Sequence, residues 1–486
     1  MAVPLIACVV GILVVLAAVL LANASRVKPT TVEDPLPPSS EKGSEASVER
    51  FQELLRSATV WGAENPHADH TPFDEFIAKL KRLFPLVFAQ LELTMVNTYG
   101  IMLRWAGSNP GLPPIVLMAH YDVVEADPAG WTCDPFGADI VDGRIYARGT
   151  VDTKCIVAAL FEAAEALLAE GFTPPRDIYI CSSNCEEDTG ETTPRMIELF
   201  TEKGITPAFV LDEGGAVIDK APLGIDQEFA FVGVAEKGFL NARITVASPG
   251  GHASTPAATD APAKLVFGLG SLLANPAPAR LSPAVAAMLK ELAAYGGFGL
   301  KLVFGNLWLF KPLVLKILKG NGETAAMVRT TYALTELKGS KAANVIPRRA
   351  KATVNVRIDP AEDIKTAFSR IKGCFDEGTE ILLGNEIEPS PISPFDDEAF
   401  SYLRKVIHAV YPDAGIAPYV QSSRSDACYF ARICPHTYRF AGFLLKGDQR
   451  SRIHGQDENL DVESYRRGIG FYIELIRNIA QLRARD

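Results

Sequence analysis

From residue 47 onward the chain alternates short apolar runs with Ala-rich or amphipathic stretches. "PPIVLMAH" (Pro113 to His120) reads as a strand, "CIVAALFEAAEALLAEG" (Cys155 to Gly171) as a helix, "DIYICSS" (Asp177 to Ser183) as a strand and "AFVLDEGG" (Ala208 to Gly215) as a strand closed by a glycine turn. Parallel strands cannot be joined by tight hairpins and need long crossovers, which are usually helical. The succession therefore commits this part of the chain to an α/β layered domain around a mostly parallel central sheet. In such sheets ligands collect beyond the carboxyl ends of the strands.

From about Glu236 the texture changes. "GFLNARITVAS" alternates like a half-exposed strand, helical segments follow, and "KATVNVRID" (Lys351 to Asp359) alternates again. The expectation is an inserted α+β domain at 237–355, splitting the catalytic domain into 47–236 and 356–486. A chain of 486 residues exceeds a single core of ordinary size, which agrees with two domains. Ahead of them, residues 25–46 hold Pro29, Pro35, Pro37 and Pro38 among serines and charges, the composition of an extended, solvated tether. Residues 1–24 carry no charged side chain, and Val3 to Ala22 is long enough to span a bilayer, which takes roughly 20 apolar residues. A single-pass N-terminal membrane anchor is the reading favoured. Secretion after signal cleavage is the alternative, because Ala22-Asn23-Ala24 resembles a cleavage site. Arg26 and Lys28 after the segment argue for a cytoplasmic body.

The net charge of −10 argues against a nucleic-acid partner, which would need a basic surface. Eight cysteines without paired spacing point to free thiols.

The chemistry-bearing residues fall where strands end. His120 and Asp122 follow the first strand; Asp152 sits in the glycine-containing loop of "ARGTVDTKC"; Glu186 and Glu187 follow the next strand; Asp212 and Glu213 the one after. Any one of these carboxylates alone would read as a helix cap or a solvated loop residue. Four strand ends in succession, each delivering a ligand-type side chain, point instead to one or two divalent ions with mixed nitrogen and oxygen ligands. Of the other histidines, His454 lies in "SRIHGQDENL" near the C-terminus, His67, His70 and His408 read as solvated or packed, and His436 has no assigned role.

Taken together, "HYDVV", "DPFGADIVDGRIYARGTVDTK", "EEDTG", "LDEGG", "GGHAS" and "IHGQDEN" resemble, in this order, the aminoacylase/carboxypeptidase S family of dizinc metallopeptidases, nearest to its carboxypeptidase S and N-fatty-acyl-amino-acid synthase/hydrolase branch. The resemblance implies a zinc-exopeptidase-like catalytic domain, an inserted lid/dimerisation domain, two Zn2+ ions per subunit and a homodimer. Position by position, it implies that Asp152 bridges the ions, that His120 and Asp212 complete one site, and that Glu187 and His454 complete the other. Glu213 is the competing ligand to Asp212. Asp122 would orient the second nitrogen of His120, and Glu186 would be the general base that takes a proton from water and returns it to a leaving nitrogen. His252 would donate to the tetrahedral oxyanion of a partner's site, Asn344 would touch substrate, and Arg357 would receive its carboxylate. One departure stands out: Cys428 occupies the place of the arginine common in a Thr-Asp-x-Arg motif, and Arg424 is the nearest substitute.

The implied activity is zinc-dependent hydrolysis of amide bonds that releases an amino acid from N-acyl amino acids, in a reaction open to reversal. A carboxypeptidase or dipeptidase with the same metal site is the runner-up. A membrane-anchored binding protein without catalysis is the rival from another class; an intact Glu186–Glu187 pair argues against it.

Overall fold

The structure is a computed structural model that describes residues 2–62, 69–188 and 190–482. His67 lies outside the described residues.

The strand Ile115–His120 is buried along its whole length, as a strand covered on both faces must be. It pairs in parallel with Ile178–Ser183 on one side and with Phe209–Asp212 on the other, and Thr437–Arg439 continues the parallel set beyond Phe209–Asp212. Antiparallel strands Gly100–Trp105 and Glu92–Val96 close one flank. The opposite flank is mixed: Phe229–Glu236 runs parallel to Gly415–Gln421 and antiparallel to Val217–Ile218. A parallel core with helices across it is the α/β architecture read from the alternation.

The helix Lys154–Ala169 is apolar almost all round and buried, since it lies between the sheet and the helices Glu45–Leu55, Pro85–Gln90 and Val462–Arg477. The last of these places the C-terminal part of the chain against the first part of the catalytic core.

A second body holds a four-stranded antiparallel sheet in the order Thr331–Lys338, Arg349–Ile358, Gly238–Ala247, Glu380–Ile387. Its own apolar core joins these strands to the helices Ala261–Ala274 and Ile364–Lys372. Chain continuity suggested 237–355, whereas sheet pairing and packing group 238–275 with 331–387. The helix Pro283–Tyr295 instead buries Val285, Leu289 and Leu292 in the catalytic core, against Gly415–Gln421.

The proline-rich stretch is extended but fastened rather than solvated. Val27 and Leu36 are buried, Thr30 donates through N and Oγ1 to Glu291 (3.1 and 2.6 Å), and Ser39 Oγ donates to Glu474 (2.7 Å). The helix Ala2–Ser25 includes a 21-residue span of mean hydropathy 3.2 that the body leaves exposed except at its last turns, where Ala24 is buried. All eight cysteines are free. His70 packs among Trp61, Phe73 and Tyr99, and His436 is held by Asp397 and Ala208, so both are structural.

Candidate metal centre

His120 is the last residue of its buried strand and is itself 2% exposed. Its Nδ1 lies 2.9 Å from the backbone oxygen of Asp122, and the Asp122 carboxylate is farther, at 3.5 Å. The main chain of Asp122 therefore makes the closer contact expected of its side chain. The carboxylate is engaged elsewhere: it accepts the backbone N–H groups of Glu186 and Glu187, each at 3.1 Å. One fully buried aspartate thus braces both the histidine and the turn that presents the paired glutamates. That turn sends the neighbouring side chains apart, Glu186 toward Arg424 and Glu187 toward His454.

The Asp152 carboxylate lies between two imidazoles. Oδ1 is 3.0 Å from His120 Nε2 and Oδ2 is 2.9 Å from His454 Nε2. Glu187 Oε1 approaches His454 Nε2 at 3.0 Å, and Glu213 Oε1 approaches His120 Nε2 at 3.8 Å. Two sets of donor atoms lie within 4.8 Å of one another, His120 with Asp152 and Glu187, and His120 with Glu186 and Glu213. Asp212 faces elsewhere, accepting the Ala427 N–H at 2.7 Å beside Asp426.

Electrostatics show what such a cluster lacks. Burial pushes the Glu186, Glu187 and Glu213 carboxyls above the usual carboxylate range, and burial with the neighbouring Asp426 lifts Asp212 to about 7. Burial also opposes ionisation of Asp152, but its hydrogen bonds with His120 and His454 outweigh that and hold it low. The same bonds, with Glu187, lift His454 to about 10; at His120 the Asp122 and Asp152 carboxylates outweigh burial and raise the imidazole well above its ordinary value. Without metal, imidazolium protons supply positive charge that a buried group of carboxylates requires. Two convergent Nε2 atoms around a shared carboxylate, with further carboxylates on each side, are a donor set that fits divalent cations.

The loop holding Asp152 is pinned by a residue that sequence reasoning did not single out. Glu458, fully buried, accepts Val151 N–H at 2.8 Å and Asp152 N–H at 3.1 Å through Oε1, while Oε2 takes Arg148 Nη1 at 2.7 Å. Its only sequence signal was position, four residues past His454 inside "IHGQDEN".

The Arg424 side chain is 8% exposed, and its Nη2 donates to Glu186 at both the backbone oxygen and Oε1, the latter at 2.8 Å. Its Nη1 is buried without a protein partner among the described residues. Arg357 is half-buried with its guanidinium 4.5 Å from the Phe239 ring centroid; burial, and then the nearby charge of Arg424, lower its pKa. Cys428 packs with Ile387 and Tyr429.

His252 and Asn344 come together far along the chain from the cluster. Strand Gly251–His252 pairs with Val345–Ile346, and Ala253 N–H donates to Asn344 O at 3.1 Å. Both residues are exposed, and His252 Nδ1 lies 2.7 Å from Ser254 Oγ. Among the described residues neither touches the acidic cluster of its own chain.

The parallel-core sheet thus carries a candidate metal centre at its strand ends, with a second body inserted between the two parts of the core. The profile of peptidase family M20/M25/M40 matches residues 116–478, and the chain belongs to that family. It is 35% identical to the N-fatty-acyl-amino acid synthase/hydrolase PM20D1 of Xenopus tropicalis, over 96% of this chain and 93% of the relative. It is 31% identical to the probable carboxypeptidase S-like 2 of Dictyostelium discoideum, over 89% of this chain and 85% of the relative. An M20 family metallo-carboxypeptidase from Sulfolobus solfataricus shares the fold, with a TM-score of 0.65, 19% identity, and coverage of 89% of this chain and 99% of that one.

Proposed function

We propose that this chain is a dizinc hydrolase of N-acyl amino acids, most active on fatty-acyl amides, with Asp152 shared between the ions. The observation that carries the reading is the Asp152 carboxylate, one oxygen directed to each imidazole. His120 and Glu213 would hold one ion, with Glu213 preferred to Asp212 because Asp212 is committed to Ala427. Glu187 and His454 would hold the other.

Zinc, when bound there, supplies Lewis acidity and a water acidified toward neutrality. Glu186, directed toward Arg424 rather than His454, takes a proton from the attacking water and returns it to the leaving nitrogen. Arg357 and Arg424 supply the positive charge that receives the carboxylate of the amino-acid portion, and the unsatisfied Nη1 of Arg424 supports that role. His252 and Asn344, exposed together and away from their own cluster, would complete the site of a second subunit, with His252 donating to the oxyanion.

The carboxypeptidase-like relatives favour a second reading, cleavage of C-terminal residues from short peptides, since a peptide presents the same carboxylate to Arg357 and Arg424. The deciding experiment compares zinc-loaded protein on long-chain N-acyl amino acids, short-chain N-acyl amino acids and dipeptides. Highest kcat/KM on the long-chain amides supports the proposal; highest on dipeptides transfers it to the peptidase reading.

A further inference from the structure

The helices Phe298–Phe304 and Leu307–Leu318 meet at a 106° bend and show a largely apolar surface to the outside. Trp308, Leu309, Leu313 and Ile317 are exposed on the second helix, Ile317 at 65%, and Phe298 is exposed at the start of the first. A soluble surface rarely leaves so many large apolar groups together.

Two independent observations name what covers them. First, the bend is built around the end of the N-terminal span. Asn306, 0% exposed, accepts from Asn23 Nδ2 at 2.9 Å and donates through Nδ2 to Leu20 O at 3.0 Å and Leu302 O at 2.9 Å. Gly305 allows the close approach: a Cβ there would meet Val27 Cγ2 at 2.9 Å and Asn23 O at 3.2 Å. A buried amide at the bend is thus satisfied partly by the last turns of the apolar helix. Second, the charge is local and of one sign. Within a chain of net charge −10, residues 292–322 contain Lys301, Lys311, Lys316 and Lys319 and no Asp or Glu. A basic amphipathic surface continuous with a spanning helix matches the interface of an anionic bilayer, where lysines reach the headgroups and tryptophan lies at their level.

We propose that this bent helix pair is a second membrane element, embedded in the interface of the leaflet from which the N-terminal span emerges. It holds the body against the bilayer rather than at the end of a tether. The inference rests on retention of residues 1–25 as an anchor. Glu323, just beyond the pair, contacts Arg450 at 2.7 Å in the segment that leads to His454.

The test uses the full chain in nanodiscs of phosphatidylcholine and phosphatidylglycerol. Trp308 is one of four tryptophans, so its emission is isolated by subtracting the spectrum of Trp308→Phe. Embedding predicts a blue-shifted difference spectrum, protected from aqueous acrylamide and quenched by lipids brominated near the headgroup end of their chains. A solvent-like, lipid-insensitive spectrum from protein that keeps its N-terminus in the disc would overturn the inference and leave the anchor intact. A blue-shifted spectrum that brominated lipid does not quench would mean a second protein copy covers the pair, and would also overturn it. N-terminal sequencing that finds residues 1–24 removed, with protein that does not float with lipid, would overturn both the inference and the anchor.

Discussion

Replacing Glu458 by Gln removes one negative charge from a place where the structure leaves nothing to substitute for it. Oε1 could still be an acceptor for Val151 N–H and Asp152 N–H, which lie 2.8 and 3.1 Å from it. The amide nitrogen, however, would then face Arg148 Nη1 across what is now a 2.7 Å contact, donor against donor. Arg148 is 3% exposed at its side chain, so water cannot replace the lost partner; its remaining contacts are Gly455 O at 3.0 Å and the Trp131 ring. Breaking a buried ion pair from one side costs about 3–5 kcal/mol, most of it the penalty of the charge left behind. The loop that presents Asp152 loosens, and disturbing such support for a ligand typically lowers metal affinity by about 10–100-fold. The expected outcome is a lower denaturation midpoint together with weaker zinc binding in competition with a chromophoric chelator, Glu186 being untouched. Arg148→Met in the same background should recover part of the stability. If Glu458→Gln and Arg148→Met were additive to within about 0.5 kcal/mol, or zinc affinity were unchanged, the two would not form a unit that holds Asp152.

Glu186→Gln should retain both ions, measured by elemental analysis, and lose about 10²–10⁴ in turnover; loss of an ion would exchange its role with that of Glu187. Mixing Glu186→Gln with His252→Ala under conditions of subunit exchange should restore activity, because some mixed dimers hold one site with both native residues; continued inactivity after verified exchange would place His252 in its own subunit or outside catalysis. Glu213→Gln should lower zinc content while Asp212→Asn keeps it at a stability cost of roughly 1–2 kcal/mol, and the reverse pattern would restore Asp212 as ligand. In chelator-treated protein, the Glu186, Glu187, Asp212 and Glu213 carboxyls and both imidazoles have folded pKa values above their ordinary ones. Their stabilisation is complete below those ordinary values and is lost as pH rises through the folded ones, up to about 10 for His454, while Asp152 acts in the opposite sense only in strong acid. Metal-free protein should therefore lose thermal stability between about pH 6 and about pH 8, and zinc, which needs deprotonated ligands, should restore more at the higher pH; a metal-free midpoint that climbs with pH would contradict the charges assigned to the cluster.

The sheet and its strand-end residues were legible because both signals are local. An apolar run such as Ile115–His120 declares a buried strand by itself, and His120 at its end needs no distant information to stand out. What was not legible depends on partners remote in sequence. The choice between Asp212 and Glu213 turns on the Ala427 N–H, which claims one of two adjacent acids. The role of Asp122 divides between its main chain and its side chain, and no spacing rule separates those. The second body's extent was misjudged because its edge strand Glu380–Ile387 joins the sheet from beyond the expected boundary. The proline-rich stretch carries the composition of a free tether, but isolated contacts from Thr30 and Ser39 fasten it, and composition cannot report single hydrogen bonds.

The interruption of the catalytic core by the second body has a consequence for the order in which the protein is made. The ribosome delivers His120, Asp152, Glu187 and Glu213 early, and then the whole second body. Only afterwards come His454, which meets Glu187 across 267 positions, and Glu458, which meets the Asp152 loop across 306. From Glu213 until His454 is made, the chain carries an open group of acids with one imidazole and no brace beneath Asp152. A polypeptide released before residue 454 would retain Asp152, Glu186, Glu187 and Glu213 and the strand ends that present them, yet lack the imidazole that closes the cluster. Competence is therefore withheld until residues 454–458 have been made, after the whole second body.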